Sequence, residues 1–200
     1  MRLFYSATSP FVRKVMACAI TRGIDRQIEL VPCNPHVSPP ELLEANPLSK
    51  VPCLVTSDGV GLFDSPVICE YLDSVGDELP MFPPAGAARL RALKLQALGD
   101  GMMDAAVLRR GDMARPREAA RDTFMARQHA AVERSLDALE AELPARHVDI
   151  GTITIACALG YLDFRFAAEP WREAHPGLAA WFEAFAAEPG IARTVPRDPA

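Results

Sequence analysis

Apolar residues recur at two spacings along this chain, and the change falls near residue 76. Before it, short apolar runs alternate with short amphipathic stretches. Leu3-Phe4-Tyr5 predicts a strand. Thr8-Ser9-Pro10 then opens a helix, with polar side chains that can cap its first N–H groups and proline at the first helical position. Val12, Val15, Met16, Ala19 and Ile20 give that helix an apolar stripe at helical spacing, and Gly23 ends it. Ile28, Leu30 and Val31 predict a second strand. A loop with Pro32, Pro35, Pro39 and Pro40 leads into a short helix at 41–45. Residues 51–55 form an extended apolar run, Asp58-Gly59 marks a hairpin, and Gly61-Leu62-Phe63 is the returning strand. Asp64-Ser65-Pro66 opens another helix, with Val67, Ile68, Tyr71 and Leu72 on one face. The order β-α-β-α-β-β-α describes a small α/β layer.

Beyond a linker-like stretch at 76–86 the pattern is helical throughout. Leu90, Leu93, Ala97 and Leu98 begin a long helix over about 87–110. A second covers about 117–143, with Phe124, Ala131, Leu136 and Leu139 facing inward. Residues 152–166 form a third, strongly apolar helix. Residues 177–187 form a last one, ended by Pro189-Gly190. The expected division is an α/β domain over 1–76, a linker at 77–86 and an all-helical domain over 87–200.

Composition sharpens this picture mainly by exclusion. Of 200 residues, half are hydrophobic and 24% are charged, an ordinary globular balance with enough chain to bury a core. Five cysteines (18, 33, 53, 69 and 157) form no C-x-x-C pair and read as reduced thiols in a reducing compartment. Four histidines (36, 129, 147 and 175) lack metal-ligand spacing, so no metal is expected. A net charge of −5 argues against a nucleic-acid surface. Neither a secretory leader nor an apolar run of about 18 residues is visible. A soluble, cytoplasmic protein with no membrane partner is the expectation.

Three segments carry the candidate chemistry: Ser9-Pro10-Phe11-Val12-Arg13-Lys14, Asn46-Pro47-Leu48-Ser49-Lys50-Val51-Pro52 and Phe63-Asp64-Ser65-Pro66. In order and spacing they resemble the signature segments of glutathione transferases. The stretch from Thr152 to Asp163 resembles that family's central core helix, and the stretch from His175 to Trp181 resembles the start of its closing helix. The resemblance implies a thioredoxin-like N-terminal domain plus an all-α domain. It also implies glutathione as co-substrate, a small electrophile as second substrate, and a homodimer.

The residues make physical sense for such a ligand. Glutathione is a small anionic tripeptide, which needs a strand-like edge, a polar pair for its charged end and a group favouring its thiolate. Val51-Pro52 suits the edge, since proline fits a strand entrance; the resemblance implies that this bond is cis. Ser65 as N-cap and Pro66 as first helical residue would present free N–H groups to a carboxylate, with Asp64 accepting from an ammonium group. On sequence alone the same residues also read as a plain helix cap. The resemblance assigns Lys50 to the glycine end of glutathione and makes Asn34 a nearby contact.

Ser9 is the candidate catalytic residue, a donor to the thiolate rather than a nucleophile; taken alone it reads equally as a helix cap. Thr8 and Ser6 are rival donors. Asp100 and Asp104 share a helix face at i, i+4, as a solvated stripe or as part of the site. One departure stands out: Thr152 keeps the first position of the family's Ser/Thr-x-x-Asp box, but Ile155 replaces the acidic one, which would leave the helix half capped. The activity read from these segments is glutathione conjugation. A glutathione-dependent isomerase, dehalogenase or peroxidase on the same site, or a non-catalytic protein-binding module, is the alternative.

Overall fold

The structure, a computed structural model, describes every residue except Leu79, Ala114, Arg117, Pro199 and Ala200. Leu79 of the expected linker and Arg117, at the expected start of the second long helix, therefore lie outside the described residues.

Strands β1 (Arg2–Tyr5), β2 (Glu29–Pro32), β3 (Cys53–Val55) and β4 (Gly61–Leu62) form one sheet in the order β2-β1-β3-β4. β1 pairs with β2 in parallel and with β3 antiparallel, and β3 pairs with β4 antiparallel. The pleat sends successive side chains to opposite faces, and the core divides accordingly. Leu3 and Leu54 join the large core with Val15, Cys18, Ile68 and Leu72 from helices α1 (Pro10–Thr21) and α3 (Ser65–Val75). Phe4 and Cys53, the neighbouring positions, form a separate small cluster with Leu42 of α2 (Pro40–Ala45). β4 passes so close to the end of α2 that a Cβ at Gly61 would collide with the Ala45 carbonyl. Gly23, at φ +69°, turns the chain out of α1.

The remaining helices are α4 (Gly86–Asp112), α5 (Ala119–Ala141), α6 (Ile150–Arg165), α7 (Pro176–Phe185) and α8 (Pro189–Ala192). α6 is the centre: every residue from Ile150 to Leu162 is buried, with α4 and α1 against it. Its predominantly apolar sequence, with Thr152 and Thr154 bonded locally, is what a helix enclosed on all sides requires. The stretch joining the two halves is fastened at both ends. Asp73 accepts from the Met81 and Phe82 N–H groups, and the Met81 carbonyl accepts from Ile150 N–H. Among the described residues no helix is long and apolar enough to cross a membrane.

Three expectations need correction. Pro189-Gly190 does not merely end α7; Pro189 starts α8, where its missing N–H costs nothing. Phe124 is 41% exposed, because α5 buries only Val132, Leu136 and Leu139 and Phe124 lies two turns before them. The cap of α6 is complete, and Thr152 is its third residue rather than its cap. Asp149 caps the helix, accepting from Thr152 N–H at 2.8 Å, while Thr152 Oγ1 accepts from Asp149 N–H at 2.9 Å. The reciprocal box is therefore present in the order Asp-x-x-Thr, one turn earlier than the Thr-x-x-Ile comparison implied.

Candidate functional site

Ser9 connects β1 to α1 as the helix N-cap, with extended backbone at φ −79° and ψ 122°. Its Oγ accepts from Val12 N–H at 3.3 Å. A hydroxyl that accepts at a cap keeps its own proton free to donate, so the capping role and the donor role are compatible in one side chain. The rival hydroxyls, Ser6 and Thr8, lie 3.4 Å from each other. Tyr5 stays within β1.

The turn before β3 is built by a residue to which sequence reading gave no role. Asn46 is buried; its Nδ2 donates to the Lys50 carbonyl at 2.9 Å and its Oδ1 accepts from Leu48 N–H at 3.0 Å. Ser49, at φ +51°, donates to the Pro35 carbonyl at 3.1 Å. Together they fix Lys50, whose side chain is exposed, and Val51, whose bond to Pro52 is cis as the resemblance implied. No backbone hydrogen bond to Val51 is made among the described residues. Asn34 is exposed and caps a short turn, its Oδ1 accepting from His36 N–H at 3.1 Å. Its amide nitrogen has no hydrogen-bond partner among the described residues.

At the start of α3 the expected cap is shifted by one residue. Asp64, not Ser65, is the N-cap, and Ser65 is the first helical residue, with Pro66 second. The reason lies in Asp64, which keeps extended backbone at φ −90° while its carbonyl already accepts from Ile68 N–H. The Asp64 carboxylate makes no capping bond and stands exposed, whereas Ser65 is buried. A plain cap is therefore not what these two side chains provide.

The charged frame of this region was largely missed. Lys14 on α1 is fully buried and its Nζ donates to Asp100 of α4 at 2.7 and 2.9 Å. Burial pushes the Asp100 carboxyl above the ordinary range despite Lys14, with Asp104 and Asp64 adding repulsion. Burial likewise raises Asp104, which feels Lys50 and Lys14 as favourable charges and Asp64 as an unfavourable one. Lys14, Lys50, Asp64, Asp100 and Asp104 thus form one electrostatic cluster where α1, the Lys50 turn, α3 and α4 meet. Asp100 is paired rather than solvated. The clue in the sequence was a lysine at a core-facing position of α1, five residues after Ser9.

Beyond this cluster, packing dominates. Met102 and Met103 are core residues, while Val107 and Leu108 are 37% and 50% exposed. Trp171 and Trp181 are buried; the first donates to Asp163 and the second stacks on Phe185 at 4.9 Å. The five cysteines are free thiols, and all but Cys33 are buried. A groove of about 280 Å³ lined by Leu95, Leu98, Leu139, Leu143 and His147 includes none of the glutathione-site residues expected from the sequence.

Comparison with known proteins gives a consistent result. Residues 8–75 match the family model of the glutathione S-transferase N-terminal domain, and residues 119–184 match that of the C-terminal domain. A glutathione transferase family member from Pseudomonas fluorescens Pf-5, solved with bound glutathione, is 40% identical over 98% of this chain and 99% of that one, at a TM-score of 0.93. A structure of a family member from the same organism with bound S-(propanoic acid)-glutathione is 40% identical, covers 99% and 100% of the two chains, and has a TM-score of 0.89. The uncharacterized GST-like protein YibF of Escherichia coli (strain K12) is 38% identical over 98% of both chains.

Proposed function

Because the chain belongs to the glutathione transferase family, we propose that it binds glutathione in its α/β half and activates the thiolate for attack on a small electrophile. The observation that carries this reading is Ser9, which caps α1 with its oxygen and retains a proton to donate. A free thiol has a pKa near 8.5. A hydrogen bond to its charged form contributes about 1.5–3 kcal/mol, and a helix N-terminus about 0.3–1 kcal/mol. Since one pKa unit corresponds to 1.36 kcal/mol, together they lower the thiol pKa by roughly 1.5–3 units. Most of the bound thiol is then anionic at neutral pH, held in position for transfer.

In this reading Val51 pairs its N–H and C=O with the tripeptide backbone, and Lys50 and Asn34 meet its glycine end. Asp64 accepts from the γ-glutamyl ammonium group, and Ser65 with the first N–H groups of α3 takes the neighbouring carboxylate. The free state of these groups supports it: the Asp64 carboxylate makes no bond to its own helix, and Val51 has no backbone partner among the described residues. The glutathione held by the Pseudomonas fluorescens protein supports it from outside the chain.

A two-fold homodimer belongs to the same proposal. The outer face of α4, with exposed Leu90 and Leu108 on either side of small Ala97 and Gly101, offers a second copy a close approach. Sedimentation at micromolar concentration should show twice the chain mass; a monomer there contradicts the dimer. The domains are those read from the pattern, 1–76 and 87–200 joined by 77–86, in a cytoplasmic protein.

Ser9→Ala tests the central step. It should lower transfer rates while largely sparing glutathione affinity, and the thiol pKa, read from thiolate absorbance in the complex, should rise toward its free value. An unchanged rate and pKa would leave Ser9 as a cap alone, with Thr8 or Ser6 next to be replaced. Absence of glutathione binding by the wild-type protein would sink the whole reading.

A further inference from the structure

The acceptor side of the site has a charge pattern of its own. α4 and α6 run side by side in the same direction: Gly151 lies against Ala92 and Leu95, and Gly99 against Thr154 and Ile155. The same stagger carried up both helices, at about 1.5 Å per residue, sets Ala106 level with Tyr161 and Arg110 level with Arg165. Both arginine charges act on the Tyr161 hydroxyl, which burial pushes above the ordinary phenol range. α1 runs the opposite way along α6, with Cys18 near Cys157 and Arg13 lying on Gly160. The N-terminus of α1, with Ser9, is therefore directed toward the end of α6 that carries Tyr161 and Arg165.

Along α4 the character of the wall changes. Asp100 pairs with Lys14, and Asp104, one turn on, faces Lys50 and Asp64. Val107 follows at 37% exposure. Arg110 lies about 9 Å beyond Asp104 along the axis and about 120° round the helix from it, exposed and with no hydrogen-bond or ion-pair partner among the described residues. Arg165 stacks on Phe164 at 3.9 Å and donates to Asp198 at 2.9 Å, whose side chain is 69% exposed. The nearby carboxylates are engaged elsewhere, Asp163 with Trp171 and Arg172 and Asp112 with Arg121. The seam between α4 and α6 beyond the acidic cluster thus carries a free guanidinium, with a buried phenol and a second guanidinium beside it.

We propose that the second substrate is a small electrophile bearing a carboxylate, which Arg110 holds together with Tyr161 and Arg165. The inference rests on the glutathione reading above and adds to it the charge of the acceptor. For a halogenated carboxylate, the thiolate sulfur bonds to the carbon bearing the halogen. The carbon–halogen bond breaks with its electron pair leaving on halide, and the thiol proton passes to water. Arg110 is a specificity residue: a neutral guest leaves it unpaired, and a cationic guest meets repulsion.

Calorimetry with the whole protein and three ligands tests this: glutathione, S-carboxymethylglutathione and its neutral isostere S-carbamoylmethylglutathione. The carboxymethyl conjugate should bind about tenfold more tightly than the carbamoylmethyl conjugate, the scale of a charge-assisted hydrogen bond. Arg110→Met should bring that ratio to near one with glutathione affinity unchanged, and Arg110→Lys should retain part of it. Equal affinity for the two conjugates in the wild type, or a ratio that Arg110→Met leaves unmoved, overturns the inference while sparing the glutathione reading. Binding of none of the three overturns that reading and this inference with it.

Discussion

Four helix starts, two in each half of the molecule, are handled in opposite ways. In the helical half they are satisfied from within. Asp149 and Thr152 cap α6 reciprocally, and Glu140 of α5 accepts from the Gly177 and Leu178 N–H groups at the start of α7. In the α/β half the same positions remain open. The Ser9 side chain takes a single N–H of α1, and the Asp64 side chain takes none of α3. Helix starts carry partial positive charge and unpaired donors whatever their context. The difference is whether a protein carboxylate fills them, and where none does the position is available to a ligand.

The largest test of this division lies at the ion pair that joins the halves. Lys14 is fully buried and the Asp100 side chain is 18% exposed. Lys14→Met strands a carboxylate in a desolvated place, and breaking a buried pair from one side costs about 3–5 kcal/mol. Urea unfolding should show a loss near the lower figure, because Asp100 keeps some solvent contact. Lys14→Met with Asp100→Leu should recover most of it, since a matched apolar pair leaves no unpaired charge. A double variant no more stable than the single one would mean that Lys14 matters for its packing and not for its charge.

A crossed pair of substitutions sharpens the comparison at the helix starts. Asp64→Ala should weaken glutathione binding by about 1.5–3 kcal/mol, the scale of a charged hydrogen bond, with little change in unfolding. Asp149→Ala should do the reverse, removing about 1–2 kcal/mol of stability through the lost cap while leaving glutathione affinity alone. If Asp64→Ala destabilises as much as Asp149→Ala, Asp64 is a structural cap and the α3 start is not an open site.

The same contrast explains what the sequence disclosed. In the α/β half the proposed site residues sit at the ends of elements, where proline, serine and aspartate announce themselves locally. Ser9-Pro10, Val51-Pro52 and Asp64-Ser65 were legible as a helix start, a strand entrance and a helix start, and the register of the α3 cap slipped by a residue, because Asp64 and Ser65 are both good cap residues. In the helical half the decisive contacts join residues far apart in the chain. Lys14–Asp100, Glu140 with the start of α7, and Asp137–His175 leave no local trace. A lysine on a core face signals only that some partner exists, without saying which. The α6 box was misread for a related reason. Asp149 lies before the apolar run that marks the helix, and attention to Thr152 as first residue hid the cap preceding it.

The smallest effect concerns His175, at the start of α7, and depends on pH. Its ring is buried; Nδ1 lies 2.8 Å from the Trp171 carbonyl and Nε2 lies 3.1 Å from Asp137 Oδ1. Both partners accept, so both ring nitrogens donate only when the ring is protonated. Burial opposes that charge, but the Trp171 carbonyl, Asp137 and Glu133 together prevail and raise the pKa above its ordinary value. The folded state therefore holds this proton more tightly than the unfolded chain does. Its contribution is fully present below about pH 6.5, the unfolded value, and is lost as pH rises from there through the folded pKa. Stability measured by urea unfolding should fall over that window in the wild type, and the drop should be smaller in His175→Gln. Subtracting the two profiles isolates this ring from the three other histidines. A difference profile that is flat across the window would mean that His175 titrates alike in both states, and that α7 is held by Glu140 alone.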